Sequence, residues 1–395
     1  MLSNLQKQPA DRIIGLSALY RADPRPEKID LGVGVYKDAQ GNTPIMRAIK
    51  KAEKQLWNEE TTKTYTALIG DGGFHTVMHE LILGDTVDRD RVSYCATPGG
   101  TGAIHHVLEL VKMTGTGGTV WFSDPTWGNH LTIAKHVGVP VGKYGYFDAE
   151  TCAVDFDKMM ADLNGIAQND VVVLHGCCHN PTGANLTKDQ WDQVADLIVA
   201  KGAIPFIDIA YQGFGDGLIE DTYGPRLMAA RAPQMLIAAS CSKNFGIYRE
   251  RTGLILAISP DAETNAITQG NLSYVNRQNF SFPPDHGARL VTMVLSDPEL
   301  RADWMAELEE VRLGMLSARK KLAEALRKAS NSDRFDFIAD HRGMFSRLGL
   351  TEAQVDRLRE EHAIYMVFDS RLNIAGVTED KIETIANAVV SVIRT

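Results

Sequence analysis

The sequence predicts an α/β protein built on a largely parallel sheet that is covered on both faces, and two observations carry this. Short β-rich apolar runs recur along the chain, several of them leading straight into small, polar or aromatic residues: Val120 to Phe122 closed by Ser123, Val171 to Leu174, Ile204 to Ile207, Met235 to Ala239 and Gly253 to Ile258. Helical patterns such as Lys188 to Ala200 alternate with them, as expected when crossover helices bury both faces of parallel strands. Right-handed crossovers then line up the segments after the runs along one edge of the sheet, so polar residues dispersed in sequence converge in space.

A different texture begins near Ser296. Ser296-Asp297-Pro298-Glu299 supplies a cap and a proline at the first helical position, and apolar residues follow at 300, 304, 308, 311, 315, 318, 322 and 326. That spacing keeps them on one helical face. It predicts a long helix running from a large domain into a smaller one, with the large domain over 40–310 and the small domain over 1–39 and 311–395.

Composition bounds the function. The 395 residues allow a large core, and 44% hydrophobic with 23% charged residues is ordinary for a globular protein. A net charge of −9 argues against nucleic acid and anionic membranes as partners, so an anionic substrate has to be captured by local arginines. The residues from Met1 to Arg12 carry neither an apolar signal core nor a basic targeting pattern, and no apolar run approaches the roughly 18 residues of a membrane span. Five cysteines without CxxC spacing fit a reducing compartment. The expectation is a cytoplasmic protein.

The chemistry concentrates after the runs. Met235 to Ala239 leads straight into Ser240-Cys241-Ser242-Lys243, with Arg251 eight residues on. A lysine at the C-terminal end of a strand, partly buried and beside another cation, is biased toward the neutral amine that attacks carbonyls. The two hydroxyls and the guanidinium suit a phosphate; a solvated surface lysine is the bland alternative. Thr97-Pro98-Gly99-Gly100-Thr101-Gly102-Ala103 runs into a helical pattern (Ile104, Val107, Leu108, Val111), so its glycines form either a phosphate cradle at a helix N-terminus or a plain turn. With His105 where a dinucleotide site needs a third glycine, and no phosphate-loop lysine motif, dinucleotides and nucleoside triphosphates are disfavoured. His175-Gly176-Cys177-Cys178-His179 lacks the spacing of a metal site, and no metal is expected. Asp208 ends an otherwise apolar run, where a carboxylate needs a cationic or hydrogen-bonded partner: a helix lysine, or a protonated ring nitrogen. Trp127 is either core packing or a wall for an aromatic cofactor.

An imine-forming lysine, a phosphate cradle, a buried carboxylate and a stacking tryptophan together describe pyridoxal phosphate. At this point the chain resembles the class I aminotransferases of fold type I, in the aspartate and aromatic-amino-acid group. The resemblance rests on Leu31-Gly32-Val33-Gly34-Val35-Tyr36-Lys37-Asp38, Thr62-Lys63-Thr64-Tyr65, residues 97–102, 175–183 and 240–251, Pro283-Pro284-Asp285-His286-Gly287 and Arg371-Leu372-Asn373-Ile374-Ala375-Gly376, all in family order. The wording of 240–251 and 276–284 is most similar to a bacterial aromatic-amino-acid branch. The resemblance implies a large domain with a mostly parallel, seven-stranded sheet, a small α/β domain, an N-terminal arm at a dimer interface, and exchange of amino groups between amino acids and 2-oxo acids such as 2-oxoglutarate in a ping-pong cycle.

Residue by residue, the resemblance makes Lys243 the Schiff-base lysine and catalytic base, and Asp208 the partner of the pyridine nitrogen, supported by His130. Asn180 and Tyr211 take the ring oxygen, and Trp127 stacks on the ring with His175 nearby. Gly100, Thr101, Ser240 and Arg251 hold the phosphate, and Tyr65 reaches it from a neighbouring subunit, which requires a homodimer with shared sites. Arg371 takes the α-carboxylate and Arg277, from the partner, a side-chain carboxylate; Gly34 and Phe345 line the pocket. Arg277, Val35, Lys37 and Thr101 point to dicarboxylates, whereas Phe282 stands where aspartate enzymes usually carry asparagine. The expectation is dual specificity for aromatic amino acids and aspartate or glutamate. The alternatives are a strict aspartate aminotransferase, a non-transaminating enzyme on the same cofactor, and a cofactor-sensing regulator.

Overall fold

The computed structural model describes residues 1–7, 12–38 and 40–394; the expected domain division at 39/40 falls at the edge of the described residues. Seven strands form the central sheet: β1 (Val92–Pro98), β2 (Val120–Asp124), β3 (Val141–Gly145), β4 (Val171–His175), β5 (Ile204–Ile209), β6 (Met235–Ser240) and β7 (Thr252–Ile258). They lie in the order β1-β7-β6-β5-β4-β2-β3. Only β7 runs against its neighbours, antiparallel to both β1 and β6; the other pairings are parallel.

Side chains alternate between two apolar layers, as the pleat requires. Val171 and Val173 of β4 pack into one cluster with Phe122, Phe206 and Leu108, while Val172 and Leu174 pack into the other with Ile207, Ile237 and Leu256. Both faces are therefore dry, which explains the near-continuous apolar reading of these strands. The covering helices include α1 (Gly99–Met113), α2 (Gly128–Val137), α3 (Lys188–Lys201) and α4 (Ala262–Asn279). The first expected helix boundary holds: Thr187 and Gln190 form a capping box on α3, and Gly202 ends it in the left-handed conformation at φ 65°.

The long helix α5 (Pro298–Ser330) starts where the sequence placed it, with the Asp297 carboxylate accepting from the amides of Glu299 and Leu300. Its N-terminal half buries Leu300, Trp304 and Leu308 against the sheet layer, and its C-terminal half buries Leu322 and Leu326 in a separate cluster with Ile29, Leu31, Leu372 and Val389. One expected position differs: Arg319 is fully buried and Ala318 only half-buried. Beside the second cluster, β8 (Phe345–Arg347) and β9 (Arg371–Asn373) pair antiparallel, with Phe345 opposite Asn373 and Arg347 opposite Arg371. No helix among the described residues is long and apolar enough to cross a membrane, and all five cysteines are buried and free.

Candidate active site

The C-terminal ends of β1, β5 and β6 and the start of β7 meet at one edge of the sheet, and a cavity of about 200 Å³ opens there. Lys243 follows β6 into it, lined by Asp208, Tyr211, Trp127, Asn180 and Ser240 among others. Burial, opposed by the Asp208 carboxylate and aided by nearby Arg251, holds the Lys243 ammonium down at about 8. Its Nζ stands 4.9 Å from the centre of the Tyr211 ring. Tyr211 is itself buried, and its phenol is pushed up by desolvation, so it keeps its proton.

Register sets the carboxylate: Asp208 lies opposite His175 of β4 and Ala238 of β6. The strand continues one residue past it, to Ile209. Its partner is not a helix lysine but His130 of α2, whose Nε2 lies 3.1 Å from Oδ2. Burial pushes the carboxyl up, yet the His130 hydrogen bond and the surrounding positive charge outweigh it and hold Asp208 below its ordinary value. An ionised carboxylate only accepts, so His130 donates from Nε2. Thr126 Oγ1 lies 2.8 Å from His130 Nδ1 and 3.2 Å from His175 Nε2, bridging the two rings. The His175 ring is buried and depressed to about 3 by desolvation, so it stays neutral.

His130 behind Asp208 and His175 near Trp127 were expected from the resemblance, but the threonine that links them and the further histidine beside them were not. Thr126 bridges two imidazoles, and His179 lies 4.2 Å from the His175 ring, stacked on Tyr146 and bonded to Ser123 and Thr182. The run from His175 to His179 was the available signal; it placed His175 at the site but gave His179 no role. Cys177, Cys178 and Asp221 do cluster, yet Asp221 accepts from the amides of Gly213, Gly215 and Asp216 and serves as a loop staple. His130 and His175 do not line the cavity; they stand behind Asp208 and Trp127.

The anion end is built from backbone. Gly99, at φ 73°, opens α1, and a Cβ there would stand 2.5 Å from Arg251 Nη2; one on Gly100 would stand 3.0 Å from Ser240 Cβ. Only glycine lets the amides of the first turn, the Ser240 hydroxyl and the guanidinium approach one point. Arg251 Nη1 bonds the Tyr248 carbonyl at 3.2 Å and Ser242 Oγ at 3.5 Å, and no carboxylate among the described residues lies within 4.0 Å of it. Thr101, Ile104, Ala210 and Ser242 complete this side; Ile104 and Ala210 were not foreseen as lining, whereas Ser242 is the second of the two hydroxyls expected there.

At the other end Arg371 of β9 is 6% exposed. It donates to Asn180 Oδ1 and to the Gly32 carbonyl, both at 3.3 Å, and its guanidinium lies 4.4 Å from the centre of the Phe345 ring. Its Nε has no partner, and no carboxylate among the described residues lies within 4.0 Å of the group. A buried donor left unmade costs about 1–3 kcal/mol, so this end of the cavity keeps an unanswered donor on a buried guanidinium. A Cβ on Gly34 would stand 2.8 Å from Phe345 Cζ, which explains the glycine.

Two expected residues are elsewhere. Tyr65 is 79% exposed and stacks on Phe282, centroids 4.6 Å apart. Arg277, in the last turn of α4, bonds Ser281 Oγ and lies 5.7 Å from the centre of the Phe282 ring. Neither lines the cavity of its own chain.

These residues fit pyridoxal phosphate: a glycine cradle beside a guanidinium without a carboxylate partner for its phosphate, a buried ionised carboxylate for its ring nitrogen, an indole wall and a depressed lysine. The chain matches the family described as aminotransferase class I and II over residues 26–389. It belongs to that family. It is 58% identical to the aromatic-amino-acid aminotransferase of Paracoccus denitrificans, over 99% of this chain and 100% of that one, and 42% identical to the aspartate aminotransferase of Escherichia coli K12 over the full length of both. It also superposes with a TM-score of 0.96 on the aromatic-amino-acid aminotransferase of Burkholderia pseudomallei covalently bound to pyridoxal phosphate, at 40% identity and 99% coverage of each. This aminotransferase is thus a fold type I enzyme dependent on pyridoxal phosphate, and its seven-stranded sheet agrees with that class.

Proposed function

We propose that this aminotransferase exchanges amino groups between aromatic amino acids, aspartate or glutamate and 2-oxo acids such as 2-oxoglutarate, using one site for both half-reactions. The observation that carries the substrate reading is Arg371, a buried guanidinium without a carboxylate partner, beside an aromatic-lined cavity. Support for dual use comes from the relatives, which include both aromatic-amino-acid and aspartate aminotransferases.

When bound, pyridoxal phosphate supplies a carbonyl that takes up the amino group and a ring that accepts electrons. Asp208 holds a proton on the ring nitrogen, and the His130–Thr126–His175 chain keeps its carboxylate ionised and oriented. Gly100, Thr101, Ser240 and Arg251 would hold its phosphate, Trp127 would pack on its ring, and Tyr211 and Asn180 would bond its ring oxygen. Arg371 holds the α-carboxylate by paired hydrogen bonds, which presents the α carbon to Lys243. Lys243 Nζ, depressed to about 8, takes the α proton. Phe345 and Gly34 shape the apolar side of the pocket.

We further propose a homodimer in which Tyr65 and Arg277 serve the partner's site, Tyr65 at the phosphate and Arg277 at the side-chain carboxylate. Their exposure, and their shared packing on Phe282, support this. The cofactor-binding unit spans 40–310 in this reading, with 1–39 and 311–395 as the second unit, and the enzyme works in the cytoplasm. Single half-reactions followed by cofactor absorbance, with phenylalanine, tyrosine, tryptophan, aspartate and glutamate as donors, test the substrate reading. Conversion by aspartate and glutamate alone would leave a strict aspartate aminotransferase.

A further inference from the structure

Arg319 lies on α5, outside the cavity, and is fully buried. It has no carboxylate within 4.0 Å among the described residues. Instead Nη1 donates to the Ile338 carbonyl at 3.1 Å and Ser346 Oγ at 2.7 Å, and Nη2 donates to the carbonyls of Arg342 at 3.2 Å, Gly343 at 2.8 Å and Phe345 at 2.7 Å. Since Ser346 Oγ accepts from Arg319, its own proton is free for His341 Nδ1 at 3.0 Å, and His341 Nε2 then donates to the Cys152 carbonyl at 2.8 Å. One guanidinium thus gathers the whole segment from Ile338 to Ser346.

That segment touches the carboxylate receptor from two sides. Phe345 begins β8, which pairs with the strand carrying Arg371, and its ring lies against that guanidinium. Its neighbours reach the loop that carries Asn180: the Arg342 amide donates to the Gly183 carbonyl at 2.9 Å, and a Cβ on Gly343 would collide with Cys178. Asn180 is itself an acceptor for Arg371. A buried charge answered by four carbonyls and one hydroxyl, with its Nε left unpartnered, is a costly way to tie a loop, since apolar packing would stabilise as well. Its distinct return is fixed direction: one rigid guanidinium holds five acceptors of a single short segment, three of them sharing the two hydrogens of Nη2.

We infer that Arg319 is a positioning residue for substrate carboxylate binding, setting Phe345 and Asn180 so that Arg371 stands ready. This rests on the proposed role of Arg371. The test uses the holoenzyme and 3-phenylpropanoate, a carboxylate without an amine, with its Kd read by calorimetry. Arg319→Lys should raise Kd about tenfold and Ser346→Ala about threefold, since the first disturbs all five acceptors and the second removes one of them together with its bond to His341. KM for aspartate, phenylalanine and 2-oxoglutarate should rise together while kcat changes less, because the α-carboxylate is common to all. Cofactor content and the pH dependence of cofactor absorbance should match the parent. Variants that melt earlier but keep the parent's Kd and KM overturn the inference, and if Arg319→Lys does not fold, Ser346→Ala decides alone. Arg371→Leu separates the two layers: an unchanged Kd there defeats the reading of Arg371, whereas a weakened Kd there with parental values in the Arg319 and Ser346 variants defeats only the role of Arg319.

Discussion

The floor of the cavity and the exposed Tyr65–Phe282–Arg277 cluster carry residues of the same kinds, but they are held in opposite ways. On the floor, Asp208 has His130, His130 has Thr126, and Arg371 sits between Asn180 and the Phe345 ring. In the outer cluster Tyr65 is 79% exposed, and Arg277 rests on a serine and an aromatic face. Preorganised polar groups stay costly until a ligand answers them, as the lone Nε of Arg371 shows. Exposed groups are free to serve another surface. The contrast separates chemistry common to every substrate, on the floor, from selection among substrates, which the proposed function gives to the partner's outer cluster.

Breaking the floor should cost most. Lys243→Ala should bring turnover to the detection limit while noncovalent cofactor binding persists, and borohydride reduction of the parent should fix the cofactor to the peptide holding residue 243; label on another lysine would redraw the site. Asp208→Ala should slow α-proton removal by about a thousandfold or more, the scale of preorganised electrostatic groups, with Asp208→Glu recovering part of it. Isotope-sensitive single-turnover rates measure this, and parental rates would remove the ring-nitrogen role. Arg371→Leu should lower kcat/KM by about a hundredfold or more for aspartate and phenylalanine alike, since both lose the α-carboxylate's partner.

Acid titration sharpens the same floor. In the cofactor-free protein Lys243 titrates near 8 rather than its ordinary 10.5. Capture of pyridoxal phosphate should therefore quicken about tenfold per pH unit up to about 8 and then level. Between about 8 and 10.5 the unfolded chain binds more protons at this lysine than the folded one, so its contribution to stability rises with pH in that window. A capture rate still climbing steeply through pH 10 would mean an undepressed lysine.

The two regions were also unequally legible in the sequence. Lys243 and Asp208 stood out as lone ionisable groups at the ends of apolar runs, and the glycines of 99–102 announced a close backbone approach. Thr126 and Thr182 did not, because threonines are common and their meeting with imidazoles depends on the parallel register that sets His175 beside Asp208. Arg319 was hidden differently: the apolar spacing on α5 passes over 319, and only the folded segment from Ile338 to Ser346 supplies acceptors that let a charge replace an apolar residue there. The outer cluster was readable through family resemblance alone, since nothing in one chain's spacing says which surface an exposed arginine serves.

The smallest general effect belongs to the outer cluster. Arg277→Leu should cut kcat/KM for aspartate about a hundredfold while phenylalanine changes within about threefold, because an apolar side chain never used the charge. The most direct measurement is complementation in mixed dimers. Lys243→Ala and Arg277→Leu subunits are each poor with aspartate as homodimers, for different reasons. In the heterodimer, one site lacks both groups and the other pairs an intact Lys243 with the partner's intact Arg277. Each heterodimer formed by subunit exchange should turn over aspartate at about half the rate of a parental dimer, as two-fold symmetry with shared sites requires. Aspartate turnover no higher than the sum of the separate homodimers would contradict the shared site and return Arg277 to its own chain.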